Sequence, residues 1–272
     1  MRPPARVMVG TIVRRDLTVV ARAKAVLMPI IILPLVLFVA LPTFAAVGIR
    51  LGSDELAELE PLLAALPDTM REQLGDGPMA SQLAVYLFEY QFATLFLIVP
   101  LMVASVIAAD SFAGEKERKT LESLLYTPTT DLELYMAKLL GPWLAAMSVA
   151  VIGFVLYAIA VNVAASADVG RILVITPLWL LVIGWLSPAV AALGLGVMVI
   201  VSARVQGFQE AYQLGGAIVL PLVLLIVAQV SGVLFLDAVL AVALGLAIWI
   251  LAAAVLWLGY RAFHREQLLV SR

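Results

Sequence analysis

The sequence predicts an all-α membrane protein of six transmembrane helices, with an amphipathic interfacial helix at the N-terminus and a short charged helix between the second and third spans. Three observations point there. The 272 residues are 64% hydrophobic and only 13% charged, with a mean hydropathy of +1.08; a soluble domain is nearer half apolar and a quarter charged. One soluble core of this length could not hide so much apolar side chain, so the excess faces lipid. The apolar residues fall into six stretches, each near or above the roughly 20 residues that cross a bilayer. Finally, the Lys and Arg residues lie overwhelmingly on one side of those stretches. The chain therefore reads as a single transmembrane domain over residues 1–272. Its spans lie near 25–48, 83–109, 139–165, 172–203, 214–236 and 238–260.

Before the first span, Val9, Ile12, Val13, Leu17 and Val20 share one helical face, with Arg14, Arg15 and Thr18 turned away. A basic amphipathic helix beside a span lies in the cytoplasmic interface, and it serves equally as a solvated anchor. The first span is too long for a signal peptide. Pro29, Pro34 and Pro42 punctuate it without a clear cleavage site, so it reads as retained. The loop 49–82 is acidic, with Asp54, Glu55, Glu58, Glu60, Asp68, Glu72 and Asp76 against Arg50 and Arg71. Ser53 can cap a helix striped by Leu56, Leu59, Leu62, Leu63 and Leu66 and ended by Pro67. It reads as a helical lid on the outer membrane surface.

The second span holds Glu89 beside Tyr90 and Gln91. Acids inside a span are costly and often functional. Two roles fit Glu89: one in the substrate pathway or outer gate, the other a structural pairing with another helix or with outer water. The loop 110–138 begins as a charged helix starting near Asp110 or Ser111. Glu115 with Lys119, and Arg118 with Glu122, are i,i+4 pairs, while Leu121, Leu124 and Leu125 form an apolar edge that Pro128 ends. Thr130 with Glu133 makes a capping box that starts the next helix. The fourth stretch is uncharged from Ile172 to Ala203, roughly 48 Å of helix. Such a length predicts a tilt, a cytoplasmic extension, or a bend at Pro177 or Pro188. Gly194, Gly196, Gly215 and Gly216 permit close helix packing, and Asn162 and Gln229 read as polar glue between helices.

Of the 17 Lys and Arg residues only Arg50, Arg71 and Arg171 fall opposite the rest. By the positive-inside rule both termini are cytoplasmic, and the protein is multi-pass in the cell inner (cytoplasmic) membrane. There is no cysteine and one histidine, His264, in the tail. Disulfides and thiolate metal sites are thereby excluded, and no metal or cofactor site is expected on the chain.

The string GEKERKTLESLLYTP, from Gly114, resembles the segment between the second and third spans of ABC type-2 permeases, the membrane subunits of a large class of ABC exporters. Two further stretches are similar to the same family. SARVQGFQEAYQLGGAIVLP brings Arg204, Glu210 with Ala211, and Pro221 into the family's pattern after span four, and FHREQLL matches its closing motif. RRDLTVVARAK is a looser match, with Asp16 where the family more often has Glu.

The resemblance implies six helices, pairing with a second permease of identical sequence, and two separate cytoplasmic ATPases that bind ATP and Mg. It implies a coupling helix between spans two and three seated in a groove of the ATPase. By position, Glu115, Lys116, Glu117, Arg118, Thr120, Leu121, Glu122, Leu124, Leu125 and Thr127 would make that contact, with Arg14, Arg15, Arg204 and Glu210 as further candidates. It implies no catalysis by this chain. None of Lys24, Lys116, Lys119 and Lys138 follows a glycine, so no phosphate-binding G-x-x-x-x-G-K-[ST] loop is present. The expected partners are the ATPases, the second permease and membrane lipid, with no nucleic acid. A tunnel lined by Leu, Val, Phe and Met would suit an apolar or amphiphilic cargo. The alternatives are an ion-coupled secondary transporter, for which only Glu89 qualifies as an intramembrane ionisable group, and a non-transporting membrane subunit of an ABC complex.

Overall fold

The computed structural model describes residues 24–52, 77–118 and 130–262 continuously, with 10, 11, 13, 14, 18, 71, 72 and 74 as separate positions. Six helices among these are long and apolar enough to cross a membrane: α1 (Leu27–Leu51), α2 (Met79–Glu117), α3 (Asp131–Ala165), α4 (Pro177–Arg204), α5 (Phe208–Val230) and α6 (Ala238–Arg261). The described residues contain no strand. In lipid every backbone N–H and C=O must find a partner within the protein, and helices supply one internally.

The bundle is built on α2 and α4. Their most apolar windows are 83% and 72% buried, against 17–28% for the other four helices. α4 lies between α2 and α6, α2 packs along α3, α3 along α1, and α5 runs beside α2. Two glycines place α4 there. A Cβ on Gly194 would come within 3.2 Å of the Leu101 carbonyl of α2, and one on Gly196 within 3.2 Å of the Leu256 backbone N of α6. Two residues apart on a helix is about 200°, so the pair clears room on opposite faces. The end of the bundle that holds Glu89 and the acidic 49–82 loop is termed the acidic end and the opposite one the basic end; toward the acidic end an aromatic cluster joins four helices. Phe38 of α1 stacks on Phe96 of α2, and Trp179 of α4 lies against Phe96 and against Tyr157 of α3. Gly153 leaves room for the Phe38 ring, which a Cβ would strike.

Three of the helices contain wide π turns, in which an N–H bonds five residues back. They are Val36–Ala40 in α1, Tyr86–Gln91 and Asp110–Gly114 in α2, and Val182–Leu186 in α4. Two of them end just before a proline. Leu41 N–H bonds Val36 O ahead of Pro42, and Ser187 N–H bonds Val182 O ahead of Pro188. A proline ring clashes with the carbonyl four residues back, and the wider turn moves that carbonyl aside. Of the two prolines at which a bend is expected, only Pro188 lies inside α4, just past a wide turn. Pro177 opens α4, while 172–176 form a non-helical link.

Other bounds differ from the sequence reading. The first part of the expected charged helix, Asp110 to Glu117, continues α2 through the second wide turn, while the part from Lys119 to Pro128 lies outside the described residues. α5 begins at Phe208, six residues before the expected start. The capping box forms as expected: Thr130 N–H donates to Glu133 Oε2 at 2.9 Å, and Glu133 N–H to Thr130 Oγ1 at 3.2 Å. The N-terminal amphipathic stretch lies largely, and the leucine-striped outer helix wholly, outside the described residues.

Candidate functional site

Both clusters of polar side chains that the sequence singled out are built on the two wide turns of α2. At the basic end, the turn Asp110–Gly114 leads into Glu115, Lys116, Glu117 and Arg118, and each of these four reaches a different part of the fold. Glu115, buried, pairs with Lys138 of α3 at 2.5 Å, and Lys138 is fully buried. The same ammonium donates to the Ser111 carbonyl at 2.9 Å and lies 5.5 Å from the centre of the Phe112 ring. Lys116 Nζ donates to Val205 O, in the link between α4 and α5, at 2.8 Å. Glu117 Oε2 accepts the backbone N–H of Phe208, the first residue of α5, at 2.9 Å. A carboxylate there complements the positive end of the helix. Gly207 lets it approach, since a Cβ at 207 would lie 2.8 Å from that oxygen.

Arg118 turns back along α2 to Asp110, at 2.9 Å. Gly114 lies midway between these two and leaves them room; its Cβ would be 2.7 Å from Asp110 Oδ1. Residues 114–118 therefore act as a clasp that ties the basic ends of α2, α3 and α5 together. Glu210 closes the α5 start from the other side, its Oε2 accepting Gln206 N–H at 3.0 Å.

At the acidic end, the turn Tyr86–Gln91 holds Glu89, Tyr90 and Gln91, all buried. The wide turn displaces carbonyls from the regular ladder, and side chains of other helices take them. Tyr157 of α3 donates to Phe88 O at 2.8 Å, and Gln229 of α5 donates to Tyr90 O at 3.4 Å. Glu89 Oε2 pairs with Arg171 Nη2 at 3.2 Å. Its Oε1 has no hydrogen-bond partner among the described residues.

Arg171 belongs to the link between α3 and α4, which is pinned over this site. The Asn162 amide donates to Leu173 O at 2.9 Å and accepts Leu173 N–H at 2.8 Å. Val174 takes φ +77°, a strained conformation for a β-branched residue, while its side chain is fully buried.

A family model described as ABC-2 family transporter protein matches residues 10–243. That span takes in both clusters and all six helices as far as the start of α6. The chain belongs to the ABC-2 family of transporter proteins. It is the membrane permease component of an ABC transporter, a multi-pass protein of a kind that works with ABC ATPase subunits and is not itself catalytic. A comparison with curated proteins finds no match.

In this ABC-2 permease the residues expected to meet an ATPase fall into three groups, Glu210 belonging with those that bond within the chain. Glu115, Lys116, Glu117 and Arg118 bond within the chain; the last three are also exposed. Thr120, Leu121, Glu122, Leu124, Leu125, Thr127 and Arg15 lie outside the described residues. Arg14 and Arg204 are exposed. Of the outer candidates, Glu89 pairs with the link residue Arg171, whereas Tyr90 and Gln91 face the interior of the single chain.

Sequence reasoning missed Lys138 and Arg171, which it counted only as loop charges. Lys138 had a signal, being the single charge in the run LYMAKLLGP. Arg171 had none, because its partner is 82 residues away. Among the described residues no group of His, Cys, Asp and Glu could hold a metal ion.

Proposed function

We propose that two copies of this chain form the substrate pathway of an exporter in the cell inner membrane, with both termini in the cytoplasm. Two separate ATPases, binding ATP and Mg, drive it. The observation that carries this reading is the clasp. Three consecutive residues following Gly114 join α2 to α3, to the α4–α5 link and to the first backbone N–H of α5, and the fourth, Arg118, ties back to Asp110 of α2. A push on the segment that follows Arg118 therefore moves three helix ends as one body.

In this reading the contact with the ATPase is made by Leu121, Glu122, Leu124, Leu125 and their neighbours Thr120 and Thr127. Apolar edges bury in a groove while charges set register. Glu115 to Arg118 stand one step behind that contact as positioning residues. Exposed Arg14 and Arg204 offer flanking contacts, with Arg15 and Glu210 beside them. The cargo path runs between the two copies, and Glu89 stands toward its outer end.

The test is co-purification from native cells in mild detergent, comparing the wild type with Leu121→Glu/Leu125→Glu. The expected result is an ABC ATPase recovered near one copy per permease, and its loss from the variant while the permease still elutes as a folded dimer. Equal recovery and an equal ATP hydrolysis rate in both would overturn the contact assignment. An absence of ATPase from the folded wild type would overturn the reading as a whole.

A further inference from the structure

A second polar feature at the acidic end opens sideways rather than into the bundle. Between α3 and the α3–α4 link runs an open groove of about 810 Å³, lined by Ile159 and Val163 on one side and Ile172 and Ile175 on the other, with Arg171 and Asn162 among them. The four apolar side chains are all more than half exposed, Val163 reaching 80%. Ile159 and Val163 lie toward the end of the transmembrane helix α3, and Ile172 and Ile175 in the link that follows it. Asn162 commits its amide to the backbone of Leu173 and Ala158. Recognition of a ligand's polar group therefore falls to Arg171, half exposed, whose planar guanidinium carries five N–H donors suited to a phosphate.

We propose that this groove holds one anionic phospholipid of the membrane leaflet at the acidic end, an acyl chain against Ile159, Val163, Ile172 and Ile175 and the phosphodiester on Arg171. One cationic group beside a long apolar wall matches the composition of a lipid. A free phosphate would leave the apolar wall uncovered. The headgroup shares Arg171 with Glu89, so the lipid bears directly on the ion pair that joins the link to α2.

The test is native mass spectrometry of the full-length permease, released from detergent containing equal amounts of phosphatidylglycerol and phosphatidylcholine with identical chains. The wild type is expected to retain phosphatidylglycerol by about fivefold over phosphatidylcholine, the size of one partly exposed ion pair. Arg171→Gln alone strands the buried Glu89 carboxylate, so the informative variant is Arg171→Gln/Glu89→Gln, in which neither partner is charged. It should lose the preference while keeping its fold. Val163→Trp fills the groove without touching charge and should release both lipids. No preference in the wild type, full preference in the double variant, or undiminished retention by Val163→Trp would each overturn the assignment.

Discussion

At the scale of single residues, the pair most exposed to test is Glu115 with Lys138. Two buried charges in contact are costly to separate: removing one partner leaves the other uncompensated, at about 3–5 kcal/mol. Lys138→Met should therefore lower the thermal midpoint in detergent sharply, and Lys138→Met/Glu115→Leu should recover most of the loss. A double variant as unstable as the single one would show that the pair is not coupled. Glu117 predicts a different outcome. Glu117→Gln weakens a charge-assisted bond to the α5 N-terminus, worth about 1 kcal/mol. ATPase binding should survive, while cargo-stimulated hydrolysis falls. The sequence led to Glu115 and Glu117, though not to Lys138, through a motif. Their acidic type was legible, but their partners were not, because local spacing pairs Glu115 with Lys119 and Arg118 with Glu122. Bonds across 23 and 91 residues leave no trace in helical periodicity.

At the scale of helices, hydropathy located all six because a run of apolar side chains is a local property. The ends were less legible. α2 runs past its apolar stretch into charged sequence, since the clasp gives Asp110, Glu115 and Arg118 partners inside the protein. α5 starts early because Glu117 and Glu210 cap it from outside the hydrophobic run. The role of α4 rests on its two close-approach glycines. Gly196→Val should push α4 away from α6 and destabilise the bundle, whereas Gly184→Ala, where nothing lies within 4 Å of the added carbon, should be neutral. Comparing the melting midpoints of the two variants checks this. A harmless Gly196→Val would mean that α6 shifts freely.

For the whole molecule, the charge asymmetry of the loops makes a prediction that needs no background correction, because the chain has no cysteine. A cysteine introduced at Ser53 should react with a membrane-impermeant maleimide in intact cells. One at Arg204 or Ser271 should react only after the membrane is opened. Reversed labelling would invert the proposed orientation and move Glu89 to the cytoplasmic side. Fold class was legible because it follows from sums over the chain. The fixing of Arg171 on Glu89 was not, since it depends on how the α3–α4 link folds back through Val174. The wide turns carry one more consequence. Each accommodates one residue beyond what a regular helix of the same reach would hold, without rotating the segments on either side. Shortening the chain by one residue inside Val36–Ala40 should let that turn relax into ordinary helix, with both flanks of α1 still aimed as before. The same excision in the middle of α6, which is regular from Ala238 to Ala262, would spin everything beyond it by about 100°. Natural length variation among such proteins should accordingly collect at the wide turns, marking where helices can gain or lose a residue and still face the same neighbours.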